Sequence, residues 1–158
     1  MELIKLEGKK AFNFNLKDKD DNLYSLNQLN FDFIVIYFYP KDDTPGCTIE
    51  AQMFTYDLKE FEKLNTLVLG ISGGNNKSKE KFCNKYNLKI PLLSDEDFSV
   101  SKKYLAYGKK QMYGKEYEGI KRVTFVLDKN KKIIKVFEKV VPKDHSKEVL
   151  EFIKSNLN

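Results

Sequence analysis

Apolar positions along the chain recur every second residue in some stretches and every third or fourth in others, and each change of period marks a predicted element. Phe12, Phe14 and Leu16 alternate with Asn and Lys, which predicts a half-exposed strand, and the DKDDN cluster is a turn before a short strand at Leu23. Phe33 to Tyr39 is a continuous apolar run of β-branched and aromatic residues, as in a strand buried on both faces. Pro40 ends it. Beyond the polar loop KDDTPG, Ala51, Phe54, Leu58 and Phe61 recur at spacings of three and four and predict a long helix. A strand over Thr66 to Ser72, a helix around Lys77 to Tyr86, an apolar segment at Ile90 to Leu93 and a helix near Phe98 to Leu105 follow. The last third reads as a hairpin, Arg122 to Leu127 and Ile133 to Phe137 joined by the DKNKK turn, then a helix whose apolar face carries Val149, Leu150 and Ile153.

A buried strand feeding a helix, then a parallel neighbour, then an antiparallel hairpin predicts an α/β architecture with a central mixed sheet flanked by helices on both faces. That is the plan of a thioredoxin-like fold, here with additional N-terminal strands. At 158 residues the whole chain, 1–158, has the size of a single domain. Its 41% hydrophobic content is enough for a core, so the 32% of charged residues reads as a solvated exterior rather than disorder.

The longest apolar run falls far short of the roughly 20 residues that a membrane-spanning helix needs, so no membrane partner is expected. The N-terminal MELIKLEGKK lacks the apolar core and cleavage site of a secretory signal, which makes the reducing cytoplasm the expected compartment. The net charge of +5 rests on lysine, because Arg122 is the sole arginine. A nucleic-acid reader would be expected to use arginine forks and clustered basic stretches. These lysines are instead scattered among 23 acidic residues, so they read as a solvated surface and no nucleic-acid partner is expected. Two cysteines are too few for a disulfide scaffold and too far apart for a CxxC pair. The single histidine, His145, sits in the polar segment KDHSKE and is predicted to be exposed and passive.

The most informative residues are Pro40 to Ile49, PKDDTPGCTI. Helix-start signals make Thr44 an N-cap, Pro45 the first helical residue, Gly46 the second and Cys47 the third. Counting back along the apolar stripe from Ala51 puts Cys47 at the N-terminal end of the buried face. A thiol there faces unsatisfied N–H groups and the positive end of the helix dipole, which favour thiolate over thiol. Gly46 lets a small substrate approach the backbone N–H groups beside the sulfur. The plainer reading makes Thr44 a cap, Pro45 a helix starter and Cys47 a small core residue. Two phosphate-binding patterns fail. GKKQMYGK, Gly108 to Lys115, has the wrong spacing and no Ser or Thr after its last lysine, so it reads as a loop; SGGNN, Ser72 to Asn76, reads as a flexible turn.

The segment YFYPKDDTPGCTIEA resembles the active-site signature of the peroxiredoxins, thiol peroxidases with Pro, three residues, Thr or Ser, two residues, Cys. The wider match is similar to the bacterioferritin comigratory protein or peroxiredoxin Q branch. It continues through VLGIS, KFCNKYNLKIPLLSD, YGKEYEGIKRVTFVLD and the terminal helix, covering essentially the whole chain in order. The resemblance implies that Cys47 is the peroxidatic cysteine, attacking the O–O bond of hydrogen peroxide or a small organic hydroperoxide and becoming a sulfenic acid. It implies that Thr44 hydrogen-bonds the peroxide, that Pro40 shields the sulfur from water, that Gly46 lies in the substrate-facing loop and that Arg122 is the family arginine. Arg122 begins a strand predicted to be central, and Glu50, three residues after Cys47, is a weaker candidate for orienting it.

Many members of this branch carry the resolving cysteine five residues after the peroxidatic one, where this chain has Gln52. Cys83, in KEKFCNKY, falls on a second place where the family carries a resolving cysteine. The resemblance therefore implies an intramolecular Cys47–Cys83 disulfide, recycled by thioredoxin or a similar dithiol reductant, with no metal and no bound organic cofactor. Cys83 as a buried bystander in a one-cysteine peroxidase, and a non-catalytic peroxide sensor, are the alternatives. Members of the branch are often monomers, and a monomer is expected, although loops near Tyr107 and Met112 could form a contact.

Overall fold

The computed structural model describes residues 2–112 and 114–157. Tyr113, where one of the matching stretches begins, lies outside the described residues, as does the Met112 side chain. The chain opens with two short strands, β1 (Asn15–Lys17) and β2 (Leu23–Ser25), paired antiparallel. β3 (Phe33–Phe38) leads to α1 (Pro45–Tyr56), α2 (Leu58–Lys63), β4 (Thr66–Ser72), α3 (Asn76–Tyr86), β5 (Leu92–Ser94) and α4 (Ser99–Lys103). β6 (Tyr107–Met112), β7 (Lys115–Ile120), β8 (Val123–Leu127), β9 (Ile133–Phe137) and α5 (Pro142–Ser155) complete it.

The central sheet runs β5-β4-β3-β8-β9; β3, β4 and β5 are parallel, and β8 and β9 add antiparallel. This is the expected thioredoxin-like mixed sheet. β3 lies in the middle and its residues divide by the period of two that a pleated strand imposes. Ile34, Ile36 and Phe38 enter one apolar cluster with Phe14, Tyr104 and Phe125. Phe33, Val35, Tyr37 and Tyr39 enter the other, which α1, α3 and α5 cover and which holds both Cys47 and Cys83.

Four expectations need correction. The predicted long helix breaks at Asp57, which separates α1 from α2 and whose buried carboxylate accepts from Ser146 Oγ at 2.8 Å and Lys147 Nζ at 2.7 Å, fastening α5 to the bend. GKKQMYGK is not a loop: β6 and β7 form an antiparallel hairpin, from Tyr107 opposite Ile120 to Met112 opposite Lys115. Most of β7 is exposed, so the hairpin has no apolar face to betray it. SGGNN is a packed turn, because a Cβ at Gly73 would stand 2.6 Å from the Phe98 ring and Gly74 has φ +85°. Asn75 Oδ1 then accepts the Ser78 N–H at 2.8 Å and caps α3.

His145 is the fourth. It is buried, with Nε2 2.7 Å from Thr124 Oγ1 and Nδ1 3.1 Å from Glu148 Oε1, and the rings of Phe54 and Phe137 meet it edge-on. His145, Val149 and Ile153 are spaced by four, so the helix turns the histidine inward despite its polar neighbours. Burial lowers its pKa, although Glu148 pulls the other way, and the ring is neutral at pH 7. Among the described residues no helix is long and apolar enough to cross a membrane.

Candidate active site

The chain leaves β3 through Tyr39 and Pro40 and turns over residues 41–44, with Asp43 at φ +56°. Thr44 occupies the N-cap position, with φ −110° and ψ 154°, and its carbonyl accepts the Thr48 N–H at 2.8 Å. Its side chain does not cap the helix; the hydroxyl donates backwards to the Lys41 carbonyl at 2.9 Å. The first N–H groups of α1 are thus left to other acceptors. Pro45, Gly46 and Cys47 are the first three helical residues, as their order predicts, and Cys47 is a free thiol only 1% exposed.

Arg122 immediately precedes β8, and the pairing of Val123 with Phe38 brings it beside the end of β3. Its Nη2 lies 3.4 Å from Cys47 Sγ and its Nη1 donates to Glu50 Oε1 at 2.9 Å. The planar fork therefore spans one helical turn, from the third helical residue to the sixth. A Cβ at Gly46 would stand 2.9 Å from Nη2 and 3.6 Å from Pro142 Cγ, so the guanidinium reaches the sulfur only because residue 46 has no side chain. Burial works against the Arg122 charge, but Cys47 and Glu50 more than offset it and its pKa is raised.

Glu50 is fully buried. Burial pushes its pKa up to about 7 against the opposing pull of Arg122. Among the described residues Oε2 has no hydrogen-bond partner, so only one of its oxygens is used there, and the buried Tyr37 hydroxyl likewise has none. Burial, followed by the nearby Glu50, Cys47 and Cys83, holds the Tyr37 phenol well above its ordinary pKa and therefore neutral. On the solvent side, Lys110 Nζ donates to the Ile120 carbonyl at 2.8 Å. Burial lowers its pKa, and so does Arg122, while Cys47 raises it. A second cation thus feels this site.

Cys83 lies on α3, 5% exposed, in the same apolar cluster as Cys47 and also free. Burial raises its pKa, and Lys19 and Lys79 oppose that rise. The structure thus gathers Cys47, Gly46, Glu50 and Arg122 directly, sets Thr44 and Pro40 in the adjoining loop, and leaves Cys83 on a neighbouring helix. Tyr37 and Pro142 were not singled out from the sequence. Tyr37 could have been, because the period of two places it on the same face of β3 as Tyr39.

A buried thiol at a helix N-terminus, met by a guanidinium on a thioredoxin-like sheet, is the arrangement that the peroxiredoxin resemblance implies. The model of the AhpC/TSA family matches residues 8–136. The chain is 46% identical over 148 residues to a putative peroxiredoxin Bcp of Helicobacter pylori, covering 93% of this chain and 97% of that one. It is 38% identical over 147 residues to peroxiredoxin Bcp of Bacillus subtilis, covering 93% and 94%. Among solved structures, the Xanthomonas campestris bacterioferritin comigratory protein, studied for its alkyl peroxide reduction activity, superposes with a TM-score of 0.87 at 34% identity over 94% of this chain and 93% of that one. A Xylella fastidiosa PrxQ mutant superposes with a TM-score of 0.88 at 33% identity over 94% and 95%. The chain belongs to the AhpC/TSA family, among its Bcp and peroxiredoxin Q members.

Proposed function

We propose that Cys47 is the peroxidatic residue and that the enzyme reduces hydrogen peroxide and small organic hydroperoxides. The observation that carries this reading is the Arg122 fork, one arm on Cys47 Sγ and the other on Glu50. The guanidinium stabilises the thiolate and, as the sulfur attacks one peroxide oxygen, the negative charge that moves onto the departing oxygen. The O–O bond breaks as the S–O bond forms, giving the Cys47 sulfenic acid and, once the departing oxygen is protonated, water or an alcohol. Thr44 already donates its proton to Lys41, so its oxygen is free to accept the hydroperoxide O–H. The backbone N–H groups at Gly46 and Cys47 face the attacked oxygen, and Pro40 screens the sulfur from water.

The Cys83 thiol then displaces the sulfenic hydroxyl, forming a Cys47–Cys83 disulfide and releasing water. A thioredoxin-type dithiol reduces this bond by exchange and closes the cycle. The protein acts as a cytoplasmic monomer. The test is peroxide consumption with such a dithiol in excess. Many turnovers per enzyme, abolished by Cys47→Ser, are expected; a single turnover would make the protein a sensor and overturn the reading.

A further inference from the structure

Tyr37 and Glu50 are both fully buried near Cys47, and among the described residues neither the phenol oxygen nor Glu50 Oε2 has a hydrogen-bond partner. An unsatisfied buried polar group is costly, and a phenylalanine in β3 would fill the same space without that cost. The packing around Tyr37 nevertheless makes room for its hydroxyl. Its ring stacks on Phe54, with centroids 4.7 Å apart and planes 23° apart. Phe54 lies one turn beyond Glu50 and two beyond Cys47 on the buried stripe of α1. Opposite Tyr37 on β4 stands Gly70, where a Cβ would come within 2.9 Å of the phenol oxygen and 2.6 Å of Leu92 Cδ2. Glycine weakens the interior of a strand, so position 70 gives up its side chain to Leu92 and to the Tyr37 hydroxyl.

Charge links the two groups. Of the ionisable groups around Tyr37, Glu50 bears on it most strongly, ahead of Cys47 in α1, Cys83 in α3 and Asp42 in the loop before α1. Glu50 itself answers to Arg122, which is felt in turn by Lys110 of β6 and His145 of α5. A neutral phenol can donate, and a buried carboxylate needs donors on both of its oxygens. Glu50 Oε1 receives Arg122 Nη1 at 2.9 Å, which leaves Oε2 for the Tyr37 hydroxyl. We propose that Tyr37 is a positioning residue for the Arg122 fork: its hydroxyl donates to Oε2 of ionised Glu50, directly or through one ordered water, and so steadies the carboxylate that shares Arg122 with Cys47. The phenol keeps its proton throughout and acts on the sulfur only through Glu50 and Arg122. Its part in peroxide reduction rests on the assignment of Cys47 proposed above, whereas the Tyr37–Glu50 contact does not.

The test reads Glu50 itself. The carboxylic-acid C=O stretch of Glu50, assigned by its absence in Glu50→Gln, is followed by infrared difference spectroscopy from pH 5 to pH 10 in folded wild-type and Tyr37→Phe protein. Tyr37→Phe keeps the ring on Phe54 and removes only the hydroxyl. A donor to Oε2 favours the ionised form, so its loss makes Glu50 bind its proton more tightly. The wild-type midpoint is expected at about pH 7. In Tyr37→Phe the proton should bind roughly tenfold more tightly or better, the scale of one hydrogen bond to a charged group, so the midpoint rises by about one pH unit or more. The rate of sulfenic acid formation is measured over the same range in the Cys83→Ser background. The step in its pH profile that Glu50→Gln removes should move to higher pH in Tyr37→Phe, and Tyr37→Phe should leave the profile of Glu50→Gln in place. An infrared midpoint that stays at the wild-type value or falls would overturn the contact. A change in the rate profile that persists in Glu50→Gln would overturn the positioning role, because Tyr37 would then act by a route that bypasses Glu50. Wild type that forms no sulfenic acid at any pH would overturn the assignment of Cys47, and the role in catalysis with it, while the infrared midpoint would still decide the contact.

Discussion

The Arg122 guanidinium lies 3.4 Å from Cys47 Sγ across a helix start that has room for it only because residue 46 is glycine. The same cation holds Glu50 at 2.9 Å, so the thiol and a buried carboxyl share one positive charge. When Glu50 is protonated that charge is left to the sulfur. When Glu50 ionises, the sulfur has a competitor for it.

Replacing Arg122 by lysine keeps the charge but loses the planar fork, so one ammonium cannot serve Sγ and Glu50 together. The expected outcome is a fall of roughly 100-fold in kcat/KM for hydrogen peroxide, the scale for losing one directed donor at a developing anion. Steady-state assays with a dithiol reductant measure it. Activity within a factor of three of wild type would show that position 122 supplies charge alone.

The Gly46→Ala variant isolates the approach of Arg122 from its charge. The added methyl would stand 2.9 Å from Nη2, with Pro142 behind it, so the guanidinium must retreat while Cys47 and α1 remain. A drop of about tenfold in the rate of sulfenic acid formation is expected, with little change in melting temperature. Rapid mixing with peroxide and thermal melting measure the two quantities.

Glu50 gives a pH dependence of definite sign. Its folded-state pKa of about 7 exceeds the ordinary 4.5, so between those values the folded chain holds a proton that the unfolded chain has lost. Its contribution to stability is therefore complete below pH 4.5 and is lost as pH rises to 7, by about 3 kcal/mol in all. Glu50→Gln removes this loss, so the difference in unfolding free energy between variant and wild type should grow in the variant's favour from pH 5 to pH 7.5. Urea titrations at the two pH values measure it.

His145 acts in the opposite direction. Its folded-state pKa is lowered by burial, so below its ordinary 6.5 the unfolded chain takes up a proton that the folded one resists. Stability from this residue is lost as pH falls through 6.5 towards the folded value. The groups that face it are Thr124 Oγ1 and the Glu148 carboxylate by hydrogen bonds and Arg122 through charge. His145→Gln, which can bond Thr124 but does not titrate, should lose less stability than wild type between pH 7 and pH 5.5. Urea titrations again measure it.

Much of the architecture was legible because burial leaves a periodic trace. β3 announced itself by being apolar on both faces, and the start of α1 by its Thr-Pro-Gly-Cys order. The β6–β7 hairpin left no such trace, since it is largely solvated. His145 was obscured by polar neighbours on the exposed side of its own helix. Lys79 is the hardest case. A buried lysine looks like any surface lysine in a string, and the carboxylate that makes its burial tolerable is 37 residues away. Gly73 misled for a related reason: its value lies in the Phe98 ring packed against it rather than in freedom of the turn. Cys47 and Gly46 stood out by their place at a helix start and Arg122 through the family resemblance, and the structure brings the three side by side.

The most direct test of the central claim is the intact mass of wild-type, Cys47→Ser and Cys83→Ser protein after one equivalent of hydrogen peroxide without reductant, repeated with a thiol-trapping reagent. The account predicts that wild type loses two hydrogens and both free thiols, that Cys83→Ser yields a trapped sulfenic acid at Cys47, and that Cys47→Ser does not react. Wild type that accumulates sulfenic acid with Cys83 still free would contradict the two-cysteine cycle, and an unreactive Cys47 would contradict the assignment of the active site itself.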